Sequence, residues 1–406
     1  MNSRNLDFKV IHFSTGHAGG AGLAARRLSW ELNNAGIFSK FYALEKTEYK
    51  PEENEYVISR TNRVRILSGI STLLNNWISN ESFFSLFSIN SITNKTVLKI
   101  ANPNNTILHF HNWFNLSSQR NILKLASKGY QVVVTMHDQR FMTGGCHYAF
   151  SCNGLHSGCK KCPQLSSFID WAPSISNGFI SKKLPKVNKN ITFIAPSEWI
   201  MTEARNSNLL KAQNIRFIPN TLGNFINLES IEQNSQSRKD KTIFGVASMD
   251  THSYIKGGDL TSKLAKIAKE KKLPLEFLLM KDVIRETNSY KKFWGQIDYL
   301  FVPSRADNSP NVIHEAKKLG IPVIASKIGG ISELLTEEFD FGINIEDLNL
   351  DYLINMLLEV RNNEISEINR KLMTLNFSNY VSKSLQQHVQ LYKELIALQS
   401  NKGFDR

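Results

Sequence analysis

The sequence predicts an α/β protein of two facing, doubly wound, Rossmann-like domains, with a C-terminal helix crossing back to the first. Three observations carry this expectation. A chain of 406 residues is longer than one ordinary core organises, which makes two domains the natural division. Short β-branched and aromatic runs alternate with stretches of helical periodicity in both halves. Between them a polar stretch, Asn227 to Lys241, has the composition of a linker. The expected division is residues 1–217 as an N-terminal Rossmann-like domain with a cysteine-rich insertion at 143–165, a linker over 218–240, a C-terminal Rossmann-like domain over 241–380, and a helix over 381–406.

The elements follow in order. FKVIHFS (8–14) reads as a strand, and AGLAARRLSWELNNAG (21–36) as a helix stopped by Gly36. TILHFHN (106–112), QVVVTMHD (131–138) and ITFIAPS (191–197) are apolar runs ending in polar residues, the pattern of buried parallel strands whose carboxyl ends reach a ligand crevice. IRFIPNT (215–221) leads into the linker. A second series comprises TIFGVAS (242–248), PLEFLLM (274–280), IDYLFVPS (297–304) and IPVIAS (321–326), and a helical pattern closes the chain over 381–398.

Hydrophobic content of 41% and charged content of 21% exclude wholesale disorder and a membrane channel. The start of the chain has no apolar run of signal-peptide type, so a cytoplasmic placement is expected. The run from Ile66 is broken by Asn75, Asn76, Asn80 and Glu81; it is suited to lying on a membrane surface rather than crossing it. The net charge of +13 is uneven: residues 1–200 hold 22 Lys and Arg against 11 Asp and Glu, and residues 201–406 hold 27 against 25. Such a basic face suits an anionic lipid surface or a phosphorylated substrate, or is simply solvated. Arg-rich runs with interleaved aromatics are missing, so no nucleic-acid partner is expected.

The stretch ADNSPNVIHEAKKLGIPVIASKIGGISE (306–333) carries the densest chemistry. Asn308 or Ser309 is a suitable N-cap, with Pro310 in the first helical position. The amides of Asn311 and Val312 then face out of a helix start, where partial positive charge favours phosphate. Glu315 is placed to accept from a ribose diol, and Asp307 to face a sugar hydroxyl or the anomeric carbon. Capping and solubility explain the same acids equally well.

In the first half Gly19, Gly20 and Gly22 sit between strand and helix, as a loop over which a ligand can approach backbone amides or as a plain tight turn. His137 ends a strand where a crevice opens. His109 and His111 carry no assignment. All four cysteines, Cys146, Cys152, Cys159 and Cys162, fall in the pattern C-x5-C-x6-C-x2-C. For a cytoplasmic protein this points to a four-thiolate structural zinc, with disulfides, a redox pair or free thiols as the alternatives.

These motifs together resemble the retaining glycosyltransferases of family 4, a nucleotide-sugar class of the two-domain GT-B fold. That family shows Glu-x7-Glu, Gly-x-Pro-Val and Gly-Gly-x-x-Glu; Asp307 and Glu315, GIPVIAS, and Gly329, Gly330 and Glu333 stand at those positions. GGAGLAARRLSWELNNAG resembles the glycine-rich loop and first helix, Lys256-Gly257 the phosphate-contacting segment, IRFIPNT the pre-linker, and TMHD the site of a histidine near the donor sugar. TGGCHY, CKKCPQL and PSEWI make the chain similar to the colanic-acid-type transferases of bacterial surface polysaccharide pathways (capsule, exopolysaccharide or O-antigen). Two departures stand out: Asp307 is shorter than the family glutamate, and no arginine precedes Lys256, which leaves one lysine as the cation.

The resemblance implies transfer of a hexosyl or related group from a nucleoside diphosphate sugar to a glycan hydroxyl with retention, with residues 1–217 as the acceptor-side domain and 241–380 as the nucleotide-sugar-binding domain. His137, Asp307 and Lys256 would be catalytic; Gly19, Gly20, Gly22, Lys256, Ser309, Asn311, Val312 and Glu315 would bind the donor. No catalytic metal is expected. The acceptor would be lipid-linked, and the enzyme peripheral at the inner face of the cytoplasmic membrane. A nucleotide-sugar epimerase of the same fold, or a nucleotide-sugar-binding remnant without turnover, are the other readings.

Overall fold

The computed structural model describes residues 8–44, 51–79, 84, 86, 88–223, 240–247, 253–280, 289–345, 349–362 and 367–401. It divides into two units, Met1–Gly223 with Lys383–Arg406, and Asn224–Ser382. Most of the expected linker, residues 224–239, lies outside the described residues.

The first unit holds seven parallel strands: β1 (Lys9–Ser14), β2 (Ser39–Leu44), β3 (Glu55–Ile58), β4 (Thr106–Asn112), β5 (Gln131–Thr135), β6 (Ile191–Ala195) and β7 (Ile215–Phe217). Their order is β3-β2-β1-β4-β5-β6-β7, so the chain reverses its direction of travel across the sheet between β1 and β4. That reversal is where open α/β sheets leave a crevice at their strand ends. Among the described residues up to Gly223, these helices accompany the strands: α1 (Gly19–Asn34), α2 (Asn62–Ile78), α3 (Asn94–Ile100), α4 (Gln119–Ser127), α5 (Gly154–Ser157), α6 (Ala172–Lys183) and α7 (Glu198–Asn206).

Helix α1 forms because its interior lacks β-branched residues and Pro and repeats small or apolar residues on one face. It buries Ala24, Ala25, Leu28 and Leu32. Its end is set by Gly36 at φ 78°, with Gly36 N–H bonded to Asn33 O and Ile37 N–H to Leu32 O. A side chain at Gly36 would strain that left-handed stop by about 1 kcal/mol. Strand cores such as Phe13, Phe110 and Phe193 are fully buried, each contributing roughly 1.5–3 kcal/mol by leaving water.

The second unit holds β8 (Thr242–Val246), β9 (Leu275–Leu279), β10 (Tyr299–Val302), β11 (Val323–Ser326) and β12 (Phe341–Ile343), all parallel, in the order β12-β11-β10-β8-β9. Here the reversal falls between β8 and β10. Its helices are α8 (Gly258–Glu270), α9 (Ser289–Gln296), α10 (Asn311–Lys318), α11 (Leu350–Asn362) and α12 (Glu367–Asn401). Separate apolar clusters cover the sheet's two faces, one around Trp294, Leu300 and Val323, the other around Phe244, Leu264 and Leu357.

The unanticipated strands β2, β3 and β12 lie at or beside sheet edges, where half-exposed residues interrupt the apolar run. The last helix begins at Glu367 rather than at 381, and its part from Lys383 onward belongs to the first unit. There Leu391, Tyr392 and Leu395 pack with Phe8, Val10 and Leu28.

Candidate functional site

In the second unit the site grows from one tight turn. Gly257 opens α8 at φ 67°, and a Cβ on it would stand 2.0 Å from Pro303 O. Only a glycine lets the turn after β8 press against the end of β10. The contact brings Lys256 Nζ to 2.5 Å from Asp307 Oδ2, at the reversal point of the sheet. Asp307 is nearly buried, whereas 41% of the Lys256 side chain is exposed.

Asp307 also organises its neighbours. Its Oδ1 accepts from Asn308 N–H at 2.9 Å, and its carbonyl accepts from Gly330 N–H at 3.2 Å. The Gly329-Gly330 pair opens a 3-10 turn, Gly329–Leu334, so the two ends of the motif meet through the backbone. Helix α10 begins at Asn311, and Pro310, at ψ 115°, is its cap. This corrects the expected caps Asn308 and Ser309: Ser309 Oγ is turned to His314 Nε2 at 2.9 Å. Asn311 and Val312 therefore form the first helical positions, and Pro310 has no side-chain acceptor to place over their amides.

Glu315 is fully buried and accepts from the Tyr290 hydroxyl on α9. The expected ribose contact thus already has a protein donor at one oxygen, and Tyr290 had no signal in the sequence. Arg305 is a second residue the motifs did not reveal. It forks onto Asp259 at 2.6 and 2.9 Å and stacks on the Tyr254 ring at 3.9 Å. Those bonds hold the Asp259 carboxyl below its ordinary range and raise the Arg305 guanidinium.

In the first unit the glycines do not form the expected loop. Gly19 and Gly20 are the opening residues of α1, and Gly22 lies inside it. A Cβ on Gly22 would meet Gly16 O at 2.3 Å, so this glycine serves close packing of the helix on the turn after β1. Gly16, which the motif left out, is its partner.

Five histidines gather around the β1/β4 reversal. His12 on β1 stands opposite His109 on β4, and His111 lies two residues further along the same face. His12 Nδ1 and His111 Nε2 are 3.0 Å apart; His111 Nδ1 and His137 Nε2, 3.2 Å. His109 is held separately, at 2.7 Å from both the Tyr392 hydroxyl and Thr135 Oγ1. His388 Nδ1–H donates to Ser384 O at 2.9 Å.

Among the described residues, His12, His109 and His111 are the group of three whose ligating atoms lie within 4.8 Å of one another. Every ring nitrogen in that group except His12 Nε2 already has a hydrogen-bond partner. The arrangement is therefore a satisfied polar network. Burial lowers all of these imidazoles, His12 to about 3 and His137 and His388 to about 4, so they are neutral at neutral pH.

Neutral rings impose a consistent tautomer along His12, His111 and His137. An orphan N–H on buried His12 Nε2 is costlier than an orphan lone pair. His12 thus donates from Nδ1 to His111, which donates from its own Nδ1 to His137 Nε2. His137 is left with its proton on Nδ1, and among the described residues that nitrogen has no partner.

Beside His137, Asp138 Oδ1 accepts from Arg140 N–H at 2.9 Å. The buried Arg140 guanidinium lies over Trp113 and Phe114 and donates to His147. The four cysteines line one small cavity and none forms a disulfide. The described residues include no helix long and apolar enough to cross a membrane.

Residues 243–363, most of the second unit, match the family described as Glycosyl transferases group 1. The chain is 25% identical over 368 residues to a protein named as a colanic acid biosynthesis glycosyl transferase, WcaC, of Escherichia coli (strain K12), covering 81% of this chain and 84% of that one. Sucrose-phosphate synthase from Thermosynechococcus elongatus superposes with a TM-score of 0.60 at 16% identity, over 96% of this chain and 99% of that one. The pneumococcal O-GlcNAc transferase GtfA, solved with UDP and GlcNAc, gives 0.59 at 9% identity, over the same shares of the two chains. The second unit is thus a group 1 glycosyl transferase domain, in a chain whose two Rossmann-like units have the GT-B fold of these glycosyltransferases.

Proposed function

We propose that the protein transfers a glycosyl group from a nucleoside diphosphate sugar to a glycan hydroxyl, with retention at the anomeric carbon, in the assembly of a bacterial surface polysaccharide. One observation carries this reading: Lys256, Asp307, the start of α10 and the Gly329-Gly330 turn converge at the strand reversal of the second unit. That grouping supplies a cation, the start of a helix and a carboxylate on neighbouring strand-end segments, which is what a diphosphate attached to a sugar needs. The relatives that hold UDP and a sugar, and the polysaccharide role in the WcaC name, support it.

In the reaction the departing diphosphate gains negative charge. Lys256 and the amides of Asn311 and Val312 stabilise that charge, and Asp307 faces the sugar whose anomeric bond breaks. Glu315 holds the ribose, with Tyr290 fixing its carboxylate. His137, neutral and protonated on Nδ1, donates a hydrogen bond to a sugar hydroxyl. No step here uses a metal.

The acceptor is lipid-linked and the enzyme docks on an anionic bilayer through α2. That helix exposes Ile66, Ile70, Leu73 and Trp77 along one face, next to Arg63 and Arg65 at its start. Trp77 meets Phe168 at 5.5 Å between ring centroids, which widens the apolar surface.

Thermal-shift measurement with UDP, GDP and ADP sugars tests the donor reading, since a ligand that binds only the folded chain raises its melting temperature. One nucleotide class is expected to give a clear rise, which Glu315→Ala abolishes, and free nucleotide is released only when acceptor is present. Release or C2 inversion without acceptor would assign an epimerase instead, and no rise with any donor would end the reading.

A further inference from the structure

The segment 139–171, between β5 and α6, has only a 3-10 turn, Arg140–Met142, and the four residues of α5 as regular helix. Connections this long inside a compact unit are uncommon and need their own means of holding shape. Phe141, Met142 and Leu155 anchor the segment to the main core of the unit, but the apolar cluster of its outer part is small: Ile78, Phe84, Cys146 and Leu165. Two isolated bridges, Ser79 with Leu165 and Phe84 with Cys146, tie it to the end of α2 and the residues that follow.

The cysteines are placed with a care that packing alone does not require. Gly144 N–H points at Cys159 Sγ and Gly154 N–H at Cys152 Sγ, both at 3.3 Å. A Cβ on Gly154 would stand 3.1 Å from Cys152 Sγ and 3.6 Å from Cys159 Sγ, so the missing side chain leaves both sulfurs open to one space. Cys159 itself lies at φ 58°, directly after Gly158 at φ 92°. A non-glycine residue in the left-handed region costs about 1 kcal/mol or more, and here it turns the sulfur inward. The two N–H groups aimed at Cys152 and Cys159 are donors of the kind that metal-bound sulfurs accept from, and four sulfurs lining one cavity make a complete four-thiolate ligand set.

We propose that Cys146, Cys152, Cys159 and Cys162 bind one structural zinc ion as four thiolates. The thiol protons pass to solvent as the Zn–S bonds form. The sulfurs stand more widely than the three imidazoles of the histidine network, and the side chains close on the ion to Zn–S distances of about 2.3 Å. With four protein ligands the ion has no open position, so it takes no part in group transfer. Its work is to pin the segment that sets Arg140 and His147 beside Asp138, and Phe168 against Trp77. The inference stands apart from the glycosyl-transfer reading.

The test is metal analysis of the full-length protein produced with zinc in the medium, by inductively coupled plasma mass spectrometry. About one zinc per chain is expected. Cys152→Ser and Cys162→Ser, at the two half-exposed positions, are expected to lose most of the zinc and to lower the melting temperature by at least about 3 °C. Should both variants fail to fold, mercurial titration of wild type decides: release of one zinc as four thiols react supports the site. Wild-type protein without zinc, a broad absorption near about 400 nm from an iron–sulfur cluster, or disulfides among these cysteines would each overturn it.

Discussion

Lys256 Nζ and Asp307 Oδ2 lie 2.5 Å apart although they follow different strands, β8 and β10, on either side of the sheet reversal. Each therefore restrains the other's role, and the two substitutions should act in opposite directions on binding. Lys256→Met removes a charged partner of the diphosphate, worth about 1.5–3 kcal/mol, so nucleoside diphosphate affinity should fall roughly 10- to 100-fold. Asp307→Asn frees the ammonium, so nucleotide affinity should hold or rise while turnover collapses. Calorimetric titration with nucleotide alongside kcat and KM checks both; equal loss of affinity in the two variants would contradict the assignment.

Gly257→Ala places a methyl group 2.0 Å from Pro303 O in backbone at φ 67°. The turn must back away from β10, carrying Lys256 from Asp307. A loss of about 1–3 kcal/mol in stability is expected, with weaker nucleotide binding in the protein that still folds. Urea unfolding and the same titration measure the two effects, and an unchanged variant would show that the close approach is unnecessary.

The buried pair Lys317 and Asp340, at 2.6 Å, acts elsewhere. Asp340 also accepts from the amides of Val323 and Thr336, so it fixes the start of β11 to the segment before β12. Lys317→Ala leaves a carboxylate stranded in the interior and should cost about 3–5 kcal/mol. Denaturant unfolding gives the value; a cost below about 1 kcal/mol would mean that water reaches Asp340.

The histidine network makes the first unit sensitive to acid. Burial lowers His12 to about 3 and His388 to about 4, and lowers His109 and His111 as well. In the unfolded chain these rings titrate near about 6.5. The unfolded state therefore binds more protons between these values, and stability that is complete above about pH 6.5 is lost progressively as pH falls toward 4. Melting temperature should drop steadily from pH 7 to pH 5, less steeply in His12→Asn. A flat profile over that window would mean the rings are open to solvent when folded.

For the bilayer surface, Leu73→Glu with Trp77→Glu should abolish sedimentation with anionic vesicles while leaving nucleotide binding intact. Each cation of the adjoining Arg60, Arg63 and Arg65 adds about 1 kcal/mol toward anionic lipid. Equal binding of the wild type to neutral and anionic vesicles would count against this surface.

The second-unit cluster was legible because its residues lie in the segments that leave strand ends, where periodicity breaks and polar residues gather: Lys256 after β8, Asp307 after β10, Gly329 after β11. The histidine network was not. His12 and His109 sit inside apolar runs that give no sign of their partners, and the Tyr392 that holds His109 comes from a helix in the last part of the chain. Arg305 likewise lay hidden, since its partner Asp259 lies in the first turn of α8, 46 residues earlier in the chain. The glycine loop differs from expectation for a related reason: spacing locates Gly19, Gly20 and Gly22 near a turn, but it is the fold that brings Gly22 against Gly16 and leaves no room for a side chain there.

Tyr392, Leu391 and Leu395 fill the core of a unit whose other residues precede Asn224. During synthesis the first sheet must wait, with the face around Phe8, Val10 and Leu28 uncovered, while the whole second unit is translated. Completion of the earlier unit is thereby made conditional on the later one leaving the ribosome, and a nascent chain stalled before Leu391 would be a target for chaperones rather than a half-finished enzyme.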